Sequence, residues 1–301
     1  MTRYPVYVEA VQHLFNLALA RLDRAPLKRR EFAEEWNSYI AQHPWRAELV
    51  EVSSTEFEFH AVMDEPAPPV LSLIFSEWLG MVRASVDNGL YAWAAAVTGQ
   101  DPPPKASAIQ FPIAESLSDF QRQAKRLSHL PNGIVNILER AQPYRSPDGP
   151  QSNLLYWINE LARTDRHRKP HVGIGRVAQH NIRVGLPEGT RLIFDESVSP
   201  FQAIEGSVLL CRFTTTRPVH RSMIVGDFRG VGVDPEISAW ADFRLDGRSR
   251  PLKDRMRYAE LFMRNHIENL AVLAGVEPGG GFTTFDPPRD EQGKPLPAAS
   301  E

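Results

Sequence analysis

Apolar positions along the chain fall into two textures, and the change comes near Pro170. Val8, Val11, Phe15, Ala18 and Leu22 recur three and four apart, which predicts one buried helical stripe closed or interrupted at Pro26. Phe32–Gln42 predicts a second, shorter helix. Across Ala47–Val62 the period changes. Leu49, Glu51, Phe57, Glu58 and Phe59 alternate around Ser53–Ser54, as in a small β-hairpin. Glu65–Pro69 is a proline-rich break. Val70–Gly99 then carries the widest apolar face, with Ile74, Trp78, Met81, Val82, Val86, Leu90, Trp93 and Val97 on it. Gly99 suits the left-handed position after a helix, and Pro102–Pro104 bars continuation. Ser118–Leu130, Gly133–Ala141 and Ser152–Thr164 predict further helices, the first with a capping box from Ser118 and Gln121.

After Pro170 the chain turns to Val, Ile and Phe punctuated by Gly and Pro. Arg191–Phe194, Val208–Thr214, Ser222–Phe228 and Ala239–Leu245 read as strands with tight turns. No helical pattern separates them, so the pairing should be antiparallel. Leu252–Ala274 returns to helix, with Met256, Leu261, Ile267, Leu270 and Leu273 inside and Gly275 as its cap. The fold class is therefore α+β: a helical bundle with an antiparallel β-sheet inserted before the C-terminal helix. The bundle takes residues 1–170, with the small β-hairpin near 47–62. The β region takes 171–250, the C-terminal helix 251–275 packs back on the bundle, and 276–301 reads as a disordered tail.

Composition narrows the class further. At 301 residues and 42 % apolar content the chain can bury a sizeable core. A net charge of −3 gives no global field toward nucleic acid or anionic lipid. The single cysteine, Cys211, excludes a disulfide framework and a multi-cysteine metal knuckle and favours a reducing, cytoplasmic setting. Its place in the apolar run Val208–Phe213 makes it a core thiol rather than a nucleophile. The first residues lack the apolar core of a signal peptide, and charged residues interrupt Val70–Val97, so no membrane association is expected.

Two segments concentrate groups able to do chemistry. Arg83 and Asp87 lie four apart on one helix face, where the plainest role is a pair bridging helices. Asp165-Arg166-His167-Arg168 sits where the helix must end before Pro170. From Arg163 to Arg183 there are six cations against Asp165 alone, a local +5 with His167, His171 and His180 besides. Such a patch suits phosphate, although cations at a helix C-terminus are also favoured by its dipole. His167 and His171 have a metal-ligand spacing, but Pro170 breaks the helix that would bring them together. Gly226, Gly230 and Gly232 do not spell a dinucleotide fingerprint and fit bulged or kinked strands better.

Four segments in order carry a resemblance: Trp78–Asn88, Phe111-Pro112-Ile113, Ala141-Gln142-Pro143-Tyr144, and Leu155–Arg168 with its ending Asp165-Arg166-His167-Arg168. Their order and spacing, across about residues 70–275, resemble a group of uncharacterised bacterial proteins. The pattern of that group is Leu-Arg-x-x-Leu-Asp-His, Phe-Pro-Ile, Gln-Pro-Tyr and Asp-Lys-His-Arg. That group is similar in turn to the HEPN superfamily of helical bundles, many of them metal-independent ribonucleases with an Arg-x-x-x-x-His motif at a dimer interface. The resemblance implies binding of RNA or nucleotide phosphates and a possible homodimer, with no cofactor and no metal. It marks Arg83, Asn88, Arg166 and His167 for catalysis and Asp87, Asp165, Arg168 and Lys169 for ligand contact. Asn88 stands where the motif has His. An amide cannot exchange a proton near neutral pH as imidazole does, so cleavage is not expected there. The alternative expectation is a non-catalytic interaction or structural protein that self-associates through its helical bundle.

Overall fold

The computed structural model describes residues 4–130, 132–168, 170–179, 181–195, 197, 202–241, 243 and 250–277. Helix α1 (Tyr4–Leu22) buries Val11, Phe15, Ala18 and Leu22 of the expected stripe and Leu19 besides, whereas Val8, expected on that stripe, is exposed in the first turns of the helix. The helix ends at Leu22, whose carbonyl Pro26 has no N–H to bond, and the chain is interrupted there as expected. Pro26 sits in the first turn of α2 (Ala25–Ile40), where its missing N–H has no helical partner to lose. Strands β1 (Trp45–Glu51) and β2 (Glu56–Met63) form the expected antiparallel hairpin.

Helix α3 (Pro69–Thr98) is the centre of the molecule. Pro at its first turn starts it, and Gly99 ends it in the left-handed conformation. It packs against α1, α2, α6 (Leu154–His167) and α7 (Leu252–Leu273), and Trp78, Leu79, Val82 and Val86 are fully buried. By length and composition α3 would also pass as a membrane span, and half of its most apolar window is buried against protein. Between α3 and α6 lie two shorter helices, α4 (Leu117–Ala124) and α5 (Asn132–Arg140). The cap of α4 is Ser116, whose side chain accepts from the Asp119 N–H, two residues before the capping box expected at Ser118.

The β elements are β3 (Gly173–Gln179), β4 (Arg183–Gly185), β5 (Leu192–Phe194), β6 (Ala203–Ile204), β7 (Ser207–Thr215), β8 (Val225–Asp227) and β9 (Gly232–Ile237). They pair antiparallel in three sheets, ordered β1-β2-β7-β5, β6-β3-β9 and β4-β8. Strand β2 of the hairpin pairs along its length with β7, and Phe57 and Phe59 pack on Phe213. The hairpin assigned by sequence to the bundle thus belongs to the β layer, because its apolar face completes that sheet. The strand expected over 239–245 is absent from its described part, where Ser238–Trp240 is a 3₁₀ turn. The glycine run serves close approach of its neighbours. A Cβ at Gly226 would collide with the Phe228 ring, and one at Gly230 with the Asn181 carbonyl. Most of the tail expected over 276–301 lies outside the described residues.

Helix α7 does pack on the bundle. Gly89 of α3 admits Ile267 of α7 at close range. Glu260 accepts hydrogen bonds from Trp78 Nε1 of α3 and Arg29 of α2 at 3.0 Å each. A second buried charge cluster ties α7 to the sheet. The Arg255 guanidinium holds both carboxylate oxygens of Glu236, stacks over Trp240 at 4.9 Å, and donates to the Trp240 carbonyl. Arg176 of β3 completes the cluster on Glu236 at 3.0 Å.

Candidate ligand pocket

Helix α3 places Arg83 and Asp87 one turn apart, and the structure gives both a backbone to hold. Arg83 is only 4 % exposed. It donates through Nη1 to Asp87 Oδ1 at 2.5 Å and through Nη2 to the Phe111 carbonyl at 3.1 Å, while its Nε is buried without a partner. Asp87 Oδ1 also accepts from the Phe111 N–H at 2.8 Å. The following residues are held in the same way. Gln142, fully buried, donates to the Pro112 carbonyl at 2.9 Å and accepts from the Ala114 N–H at 2.8 Å. Gln123 of α4 bonds both the N–H and the carbonyl of Ile113, at 3.2 and 2.8 Å. An irregular buried segment needs partners for its polar groups, and four side chains supply them to residues 111–114. Asn88 is half-buried and takes no part in this clamp.

The second predicted group is separate. Asp165 of α6 accepts from Ser76 Oγ of α3 and so joins two helices. Ser76 lies seven residues before Arg83, about 10 Å along the helix axis. Arg166 is exposed, with Nε donating to the Ala162 carbonyl at 3.2 Å, and Arg168 is exposed just past the helix end. The His167 side chain and Lys169 lie outside the described residues, as does His180. Of the other cations in the basic run, Arg163 pairs with Glu160 and Arg176 with Glu236. His171 is buried and donates to the Leu161 carbonyl at 2.8 Å, with its ring edge against Phe75. It is thus a satisfied core histidine. Cys211 is buried on β7, and burial pushes its thiol up to about 11, where it is inert.

The clamped segment forms the floor of a cavity of about 550 Å³ between α5, the 3₁₀ turn Pro143–Arg145 and the last turns of α7. Phe111, Leu138, Phe262 and Leu270 give it apolar walls. His266 lines it between two rings, 4.4 Å from Phe262 and 6.0 Å from Phe111. His266 Nδ1 lies 2.9 Å from the Phe262 carbonyl. A carbonyl can only accept, so Nδ1 carries the proton and Nε2 keeps a free lone pair. Burial holds this imidazole below its ordinary pKa and so keeps it neutral near pH 7. Asn153 also lines the cavity, but its side chain caps α6 and holds Ser146. Arg145 is bound to Glu139 and stacks over Tyr144 at 5.5 Å.

Sequence reasoning singled out Arg83 and Asp87, which hold Phe111 from behind the cavity, quoted Phe111 and Gln142 only within segments that carry a resemblance, and missed Arg140, His266 and Asn269, which line the opening. The signal for the last two was the spacing Phe262, His266, Asn269, Leu270, Leu273, a helical face with polar residues inside it. Leu273, read as core, is 50 % exposed at the rim because the bundle ends there. No family model, curated protein or solved structure matches this chain.

Proposed function

We propose that this protein is a non-catalytic interaction protein with a HEPN-like helical bundle, in which Arg83 and Asp87 serve the fold. The supporting observation is the engagement of Arg83: both of its Nη groups already hold protein acceptors, at Asp87 and Phe111. A guanidinium that stabilises a phosphate during cleavage must reach the phosphate, and a proton carrier must stand beside it. Asn88 is no proton carrier. Exposed Leu17, Leu27 and Leu73 on three helices that pack together support self-association of the bundle as its mode of action. The test is incubation of the protein with a labelled mixed-sequence RNA in EDTA, alongside sedimentation velocity. No cleavage is expected, together with a dimer that Leu17→Glu/Leu73→Glu returns to monomer. Arg83→Ala should lower the melting temperature. Cleavage that disappears in Arg83→Ala at an unchanged melting temperature overturns the reading.

A second reading, contact with RNA or nucleotide phosphates at the end of α6, draws on the exposure of Arg166 and Arg168 there. It predicts a gel shift at low salt that weakens in Arg166→Ala/Arg168→Ala and fades as salt rises, since released counterions drive such binding. A shift indifferent to both changes removes this reading.

A further inference from the structure

The cavity between α5 and α7 has a size, a lining and a charge that together select a ligand. Its volume of about 550 Å³ falls within the roughly 300–1,000 Å³ common to small-molecule sites. Its walls are mainly apolar and aromatic. Three polar groups on its lining have no partner among the described residues: the Arg140 guanidinium, the Asn269 side-chain amide and His266 Nε2. No aspartate or glutamate lines it, whereas Arg140 and Arg145 do.

We propose that this cavity binds a small organic anion with a flat apolar body, the body packed on the wall that Phe262, His266 and Phe111 form together and the anionic head at Arg140. Each component follows from the lining. The two rings and Leu270 favour a flat apolar body over a sugar or a peptide. A guanidinium without a carboxylate partner at the mouth matches a carboxylate, sulfonate or phosphate. His266 Nε2 accepts a hydrogen bond from an N–H or O–H of the body, and Asn269 offers one of each kind at the rim. The proposal stands independently of the non-catalytic reading above, since neither Arg83 nor the α6 end contributes to the lining.

The test uses the full chain and 8-anilinonaphthalene-1-sulfonate, a fluorescent aromatic anion of suitable size. One equivalent should bind with enhanced emission. Asn269→Trp, at an exposed position, fills the mouth and should abolish binding. Arg140→Glu, also exposed, should weaken it at least about tenfold, while the neutral analogue N-phenyl-1-naphthylamine should ignore that change. Both variants should melt with the parent protein. Competition then sorts the head group: displacement by 1-naphthyl phosphate assigns it to phosphate, and displacement by indole-3-acetate assigns it to carboxylate. The proposal is overturned if neither displaces the probe, if the probe does not bind, or if binding survives both substitutions unchanged.

Discussion

At the residue scale, buried side chains here act mainly on backbone. Gln142 shows the energetics most directly. Leucine matches its volume but not its bonds, so Gln142→Leu orphans the Pro112 carbonyl and the Ala114 N–H inside the protein. At roughly 1–3 kcal/mol for each buried orphan, the expected loss is about 2–6 kcal/mol by urea unfolding. A loss under 0.5 kcal/mol, roughly the range of surface changes, sinks the account. His266 gives a pH signature. Its native pKa lies below the ordinary value of 6.5 because burial disfavours the imidazolium. The unfolded chain therefore takes up the proton first as pH falls. The stability that His266 contributes is full above 6.5 and is lost as pH drops through 6.5 toward the native value. Urea midpoints measured at pH 7.5 and 5.5 should fall further in the parent protein than in His266→Phe, and equal falls would place the native pKa at or above 6.5. The spacing of Arg83 and Asp87 made their pairing legible. What they hold was not, because Phe111 lies 24 residues beyond Asp87 and no local pattern links a helix face to a distant carbonyl.

At the scale of elements, the Arg255–Glu236–Arg176 cluster is the joint between α7 and the sheet. Arg255 and Glu236 are both fully buried, so removing one partner strands the other's charge away from water. Glu236→Ala should therefore cost about 3–5 kcal/mol, read as a lower urea midpoint. An effect below about 1 kcal/mol would mean that water reaches the guanidiniums in the variant. Neither Arg255 nor Glu236 stood out by sequence, since each sits in a run of mixed polarity, and Arg176 was noticed only as one cation of the basic run. Helices were more legible than strands for a related physical reason. The face of α3 repeats over many turns, and its expected span 70–99 differs from the observed Pro69–Thr98 by one residue at each end. Strand β3 begins Gly173-Ile174-Gly175, where glycine hides the alternation that would identify it. Gly175 itself faces Val233 so closely that a Cβ would lie 2.9 Å from it. Pairing with β9 therefore selects the glycine that erased the pattern.

At the scale of the whole molecule, local patterns predict the elements but not how tightly the sheet and the bundle depend on one another. A boundary at residue 170 follows the change of texture. The contacts ignore it: β2 needs β7 across more than 140 residues of chain, and α3 needs α7. Cutting there exposes Phe57 and Phe59 on β2. It also uncovers the α3 surface that receives Ile267 and leaves Trp78 Nε1 without Glu260. Each large core side chain deprived of its packing costs about 3–5 kcal/mol by analogy with truncation to alanine, and several such losses exceed the roughly 5–15 kcal/mol by which a domain is stable. Residues 1–170 expressed alone should thus lack a cooperative thermal transition, while the full chain unfolds with coincident far-ultraviolet circular dichroism and tryptophan fluorescence. The fluorescence samples both parts, with Trp78 and Trp93 on α3 and Trp240 beside the sheet joint. A cooperative transition in the 1–170 fragment would show that the bundle folds alone. The same result would make the α7 contacts dispensable and leave the cavity as a seam between two separable units.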